Sequence, residues 1–181
     1  LQIKGLAAAF KDPAVLRAVE DLAPLGVAIS VTQWGGPGES RTVVPFTHIT
    51  TPNEAKAFGF LVSLHSQNIR AATTSITTAI ENGVALLEVN GFDGRRRVID
   101  VSGDGQDNSG LDLNAARDLA LASGVTVNGL AIESEQPGLF EYYESNVIIG
   151  ADSFAIRALD FDDFARAMRE KLLRELRPLG S

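Results

Sequence analysis

Between residues 72 and 176, short β-rich runs alternate with helix-length amphipathic segments, and this alternation constrains the fold more than any single residue does. A strand that returns parallel to its neighbour needs a crossover of a dozen or more residues, usually a helix. The pattern therefore predicts an α/β fold, doubly wound, with a mainly parallel sheet covered on both faces. Val98-Ile99-Asp100-Val101 reads as a short strand, followed by strands over 125–132 and 153–159. Between them fall a helix with Ile76, Ile80, Val84 and Leu87 on one face, one from Leu113 to a Gly124 cap, and a short aromatic one over 139–145. A last helix over 160–176 puts Phe161, Phe164, Met168, Leu172 and Leu176 on one stripe. Its acidic residues Asp160, Asp162 and Asp163 gather at the positive end.

The first 66 residues follow a different rhythm. Ile3, Leu6, Ala7 and Phe10 keep helical spacing, and Asp12-Pro13 restarts a helix through Leu16, Val19 and Leu22, with Asp12 as cap. Two β-rich runs, 26–34 and 41–49, flank Gly35-Gly36-Pro37-Gly38 and read as an antiparallel hairpin at one edge of the sheet. Thr51-Pro52-Asn53-Glu54 is a capping box that opens a helix to about Ser66. A polar stretch, 67–75, leads into the helix that carries Ile76. No repeat or linker interrupts the chain, and 181 residues fit a single domain spanning 1–181.

Composition removes several functions. Lys+Arg number 16 against 23 Asp+Glu, for a net charge of −7, and the only basic run is Arg95-Arg96-Arg97. Nucleic-acid binding needs clustered positive charge, so no nucleic-acid partner is expected. No stretch nears the ~18 apolar residues of a membrane span. Without cysteine and with two histidines, neither thiolate chemistry nor a zinc cluster is available, so any metal must be a hard ion held by oxygen.

In an open α/β sheet, ligands bind at the carboxyl ends of strands. That directs attention to Ser102-Gly103-Asp104-Gly105-Gln106-Asp107-Asn108, where a strand delivers Asp104 between two glycines. The residue types alone allow a loop whose Asp, Asn and Ser groups bond their own backbone. A methyltransferase-type glycine loop fails by one residue in register, and a dinucleotide fingerprint fails because Asn108 stands where its third glycine should be. A Mg²⁺-type site fits better, with hydroxyls from Thr73, Thr74 or Ser75 on a neighbouring loop. His48 and His65 lie far from these loops, and Ser102 lacks a nucleophile elbow, so a hydrolase triad is not expected. Trp34 reads as a rim aromatic at a sheet end, and Tyr142 and Tyr143 as helix anchors with phenol tips at the surface.

Arg41-Thr42-Val43-Val44-Pro45-Phe46-Thr47, Thr74-Ser75-Ile76, the run from Arg96 to Gly105, Val127-Asn128-Gly129-Leu130-Ala131-Ile132 and Tyr142-Tyr143 together resemble a bacterial family of unknown function related to von Willebrand factor type A domains. The resemblance implies a Rossmann-like sheet in the strand order 3-2-1-4-5-6, carrying a metal-ion-dependent adhesion site. That site combines an Asp-x-Ser-x-Ser motif after the first strand with a Thr, matched by Thr74, and an Asp, matched by Asp104. Asp100-Val101-Ser102-Gly103-Asp104 imitates the first motif but reads as the fourth strand, because four elements precede it.

Nothing before the first helix can form the family's first strand, so the expectation is that this central strand and its motif come from an upstream segment. A strand from another copy, by exchange or homo-oligomer formation, and a rearranged sheet are the alternatives. The resemblance further implies a protein-interaction module, not an enzyme, that uses Mg²⁺ or Mn²⁺ to meet an acidic group of a protein partner outside the cytoplasm. With two protein oxygens, metal binding by this chain is expected to be weak or absent. A metal-dependent phosphoester hydrolase using Asp104 with Asp107, and a scaffold with a vestigial site, are the competing readings.

Overall fold

The structure, a computed structural model, describes residues 2–66 and 72–177. The described residues form twelve elements: α1 (Gln2–Ala9), α2 (Pro13–Asp21), β1 (Val27–Trp34), β2 (Ser40–Ile49), α3 (Pro52–Ser63), α4 (Ile76–Val89), β3 (Arg97–Gly103), α5 (Leu113–Ala122), β4 (Val125–Ile132), α6 (Leu139–Asn146), β5 (Ala155–Ala158) and α7 (Phe164–Glu175). They form two compact units. One comprises Leu1–Thr32, Thr42–Gln67 and Phe161–Ser181; the other comprises Gln33–Arg41 and Asn68–Asp160.

The second unit contains the parallel sheet that the alternation predicts, in the order β3-β4-β5. β3 runs beside β4 from Arg97↔Val125 to Gly103↔Ala131, and β4 beside β5 from Gly129↔Ala155 to Ile132↔Ala158. Every residue of β4 except Thr126 is buried, as expected of a central parallel strand. The odd-numbered face of β3 and β4 presents Ile99, Val101, Val125, Val127 and Ala131 to Ile76, Ile80 and Val84 of α4, Ala116 and Ala120 of α5, and Leu139 and Tyr143 of α6. Gly83 brings α4 close to the sheet: a Cβ there would lie 2.8 Å from the Ile99 side chain. Gly124, with φ +66°, ends the α5 turn in the left-handed region where glycine is at no disadvantage.

β1 and β2 form their own two-stranded antiparallel sheet, bridged by the Ser30 hydroxyl donating to the Val44 carbonyl at 2.9 Å. The sequence places this hairpin at the edge of one continuous sheet, whereas the strands form a pair and a trio. In the first unit, α1 packs against α3 and α7. Phe10 meets Phe58 edge-on at 4.9 Å, and Gly59 leaves room for the Phe10 side chain. Asp12 caps α2 through the Ala14 amide at 2.8 Å and pairs with Arg169 of α7 at 2.8 Å.

Several boundaries differ from the sequence reading, and β5 is shorter at both ends than the expected 153–159. β3 continues to Gly103, so the loop that follows opens at Asp104. α3 stops at Ser63. α7 begins at Phe164, leaving Asp160 and Asp162 before the helix, while Asp163 pairs with Arg166 at 2.6 Å and makes no side-chain cap. The part of the polar stretch at 67–71 lies outside the described residues.

Candidate functional site

Two local rules place the predicted site residues. Ser75 is the N-cap of α4: its hydroxyl accepts from the Thr78 amide at 3.1 Å, so Thr74 is the last residue before the helix entry. β3 ends at Gly103, so Asp104 is the first residue beyond the strand's carboxyl end. The two segments are joined directly. The Thr74 amide donates to Asn108 Oδ1 at 2.7 Å, and the Asn108 amide donates to the Thr74 carbonyl at 3.0 Å. The Thr74 hydroxyl oxygen lies 3.3 Å from where a Cβ on Gly105 would sit. Thus the hydroxyl expected to hold a cation adjoins the residue following Asp104. The hairpin tip completes this edge, because the Ser75 amide donates to the Gly35 carbonyl at 2.8 Å and the Gly38 amide to the Thr78 hydroxyl at 3.1 Å.

Asp104 and Asp107 are not equivalent. Asp104 is exposed, and no hydrogen bond holds its carboxylate among the described residues. Asp107 has both oxygens engaged: Oδ2 accepts from the Thr77 amide at 2.9 Å and hydroxyl at 3.1 Å, and Oδ1 accepts from the Ser109 hydroxyl at 2.7 Å and amide at 3.0 Å. Partial burial pushes the Asp107 carboxyl up, but these four donors outweigh it and hold its pKa below the ordinary carboxylate value. Asp107 therefore acts as a staple between α4 and the loop. That role engages both oxygens of the carboxylate that the phosphoester reading pairs with Asp104.

Tyr142 and Tyr143, expected to show their phenol tips at the surface, do not behave that way. The Tyr142 hydroxyl is part-buried and accepts from the Asp107 amide at 3.3 Å. Tyr143 is fully buried. Its ring crosses the sheet face over two glycines: a Cβ on Gly129 would lie 2.7 Å from Tyr143 Cδ1, and one on Gly103 2.7 Å from its hydroxyl oxygen. Trp34 flanks the same spot, 3.4 Å from the Gly103 position. Among the described residues the Tyr143 hydroxyl has no hydrogen-bond partner. Burial raises its pKa well above the ordinary tyrosine value, and the charges of Asp104, Tyr142 and Asp107 add to the shift. Leaving such a group unsatisfied costs about 1 to 3 kcal/mol, so this phenol is an anomaly at the root of the Asp104 loop. The clue in the sequence was the pair of strand glycines, Gly103 and Gly129, which interior strands disfavour unless something approaches closely.

The profile of the family described as "Protein of unknown function (DUF1194)" matches residues 1–179. The chain belongs to this family. Its fold is von Willebrand factor type A-like. It is similar to proximal thread matrix protein 1 from the mussel byssus, with a TM-score of 0.67 at 16% identity over 94% of this chain and 42% of that one. A second structure of the mussel protein, described as having a zinc-occupied MIDAS motif, superposes with a TM-score of 0.61 at 15% identity, over 96% of this chain and 43% of that one. The chain thus spans less than half of the mussel protein's length. Among curated proteins no sequence matches.

The chemistry of Thr74 and Asp104 suits a hard divalent cation: one neutral hydroxyl and one carboxylate, on loops fastened to each other, are oxygen donors of the kind Mg²⁺ and Mn²⁺ accept. Among the described residues, no group of three Asp, Glu, His or Cys side chains gathers into a metal cluster. Any cation here would keep much of its coordination for water and for an incoming ligand.

Proposed function

We propose that this protein is an interaction module in which Thr74 and Asp104 hold a divalent cation, Mg²⁺ or Mn²⁺, that meets an acidic group from a protein partner. The observation that carries this reading is the fastening of the Thr74 segment to the Asp104 loop through Asn108, which brings two oxygen donors to the carboxyl edge of β3. The cation is needed on electrostatic grounds, because a chain of net charge −7 does not attract an acidic ligand over long range. Thr74 supplies a neutral oxygen and Asp104 a single negative charge, which leaves the ion net positive toward a carboxylate. The reading assigns no catalytic role. It locates the protein outside the cytoplasm by the family resemblance alone; cell fractionation tests that placement, and recovery in the cytosolic fraction would overturn it.

Mn²⁺ titration followed by paramagnetic broadening of amide signals reports binding even at millimolar affinity. Broadening centred on residues 74 and 103–108, abolished in Asp104→Ala, is the expected result. Broadening that ignores this edge, or persists unchanged in Asp104→Ala, would sink the reading in favour of a scaffold with no working site.

A further inference from the structure

We propose that Tyr143 is a positioning residue for Asp104: its buried hydroxyl donates a hydrogen bond to the Asp104 carboxylate when that carboxylate turns inward to hold a cation. This rests on the reading of Asp104 as a cation ligand and goes beyond it by assigning the group that orients that ligand.

The phenol is costly to place. Two strand positions, Gly103 and Gly129, lack side chains where the ring and hydroxyl pass, and a Cβ at either would come within 2.7 Å of Tyr143. A phenylalanine would fill the same volume without burying an unpaired hydroxyl, so packing alone does not account for the oxygen. Its immediate surroundings narrow the acceptor. Asp107 already accepts four hydrogen bonds. Tyr142 is engaged with the Asp107 backbone amide. The hydroxyl sits against Gly103, the residue preceding Asp104, whose carboxylate accepts no hydrogen bond from the described residues. A rotation of the Asp104 side chain toward Gly103 is the change that would give each of these two groups a partner. A neutral donor to an ionised carboxylate is a charge-assisted bond of the strong kind, and a partner that orients a metal-binding carboxylate raises its affinity without touching the metal.

The experiment compares wild type, Tyr143→Phe and Asp104→Ala in Mn²⁺ titrations and in metal-free thermal melts. Tyr143→Phe keeps the ring, so it is expected to weaken Mn²⁺ binding about 10- to 100-fold while the metal-free melting temperature stays level or rises. Equal Mn²⁺ affinity in wild type and Tyr143→Phe, with binding lost in Asp104→Ala, overturns the tyrosine's role and leaves the cation reading standing. Wild-type protein that takes up no Mn²⁺, or an Asp104→Ala variant that binds like wild type, overturns the cation reading and the tyrosine's role with it. A metal-free melt that drops in Tyr143→Phe together with unchanged affinity identifies a purely structural hydroxyl.

Discussion

Tyr143 owes its position to two side chains that do not exist. A Cβ on Gly103 would collide with the tyrosine's hydroxyl oxygen, whereas one on Gly129 would collide with the ring itself, in both cases at 2.7 Å. Overpacking of this kind costs about 1 to 3 kcal/mol, so Gly103→Ala and Gly129→Ala should each lower the urea midpoint by a corresponding amount. The two variants should respond differently to Tyr143→Phe: removing the hydroxyl relieves the first collision and not the second. Partial rescue of Gly103→Ala, with none for Gly129→Ala, is the expected double-mutant outcome; equal behaviour would mean that the ring moves as a body. At Asp107 the test is pH. Its folded-state pKa lies below the ordinary value of about 3.9, so its contribution to stability is present above that value and is lost as pH falls through the lowered one. Asp107→Asn should therefore be less stable than wild type at pH 7, and the gap should narrow steadily as the pH is taken below about 4.

At the scale of elements, helix entries decide where the site falls. Thr51 and Glu54 form the capping box that the sequence announces: the Glu54 amide donates to the Thr51 hydroxyl at 3.2 Å and Glu54 Oε2 accepts from the Thr51 amide at 3.1 Å. Thr51→Ala should cost about 1 kcal/mol in a denaturant melt and leave Mn²⁺ binding unchanged, since α3 lies outside the unit that holds Thr74 and Asp104. Ser75 makes an informative contrast. It caps α4 while its hydroxyl also donates to Thr78 at 2.9 Å, and the Thr78 hydroxyl accepts from Gly38 of the hairpin tip. Ser75→Ala should cost at least as much stability as Thr51→Ala and also disturb the register of Thr74. The Thr51 box is legible in the sequence because its partners lie within four residues, whereas the Ser75 cap, tied through Thr78 to the hairpin tip, is seen only in the structure. The acidic cluster before α7 differs from its sequence reading although its contact is just as local: Asp163 pairs with Arg166 one turn on, and the helix starts after the acidic residues instead of enclosing them.

Across the whole molecule, the chain contributes three segments to one compact unit and two to the other, so neither unit is a continuous stretch. The tip of the hairpin is part of the unit that holds the parallel sheet, through Gly35 to Ser75 and Gly38 to Thr78. A fragment covering only 68–160 should consequently melt at a lower temperature than the full chain, or lose a cooperative transition altogether; a fragment as stable as the whole would show that the tip is dispensable. The sequence by itself determined the order and type of nearly every element and the parallel sense of β3, β4 and β5, and it put Asp104 and the hydroxyls of Thr73, Thr74 and Ser75 on neighbouring loops, because periodicity, caps and the need for helical crossovers act over a few residues at a time; the family resemblance is what singles out Thr74. Tertiary structure alone decided that the strands form a pair and a trio, that Asp107 is a staple and not a free carboxylate, and that Tyr143 buries its hydroxyl against Gly103. Each of those outcomes depends on groups tens of residues apart meeting within a few ångströms, and no local preference of the chain encodes such a meeting.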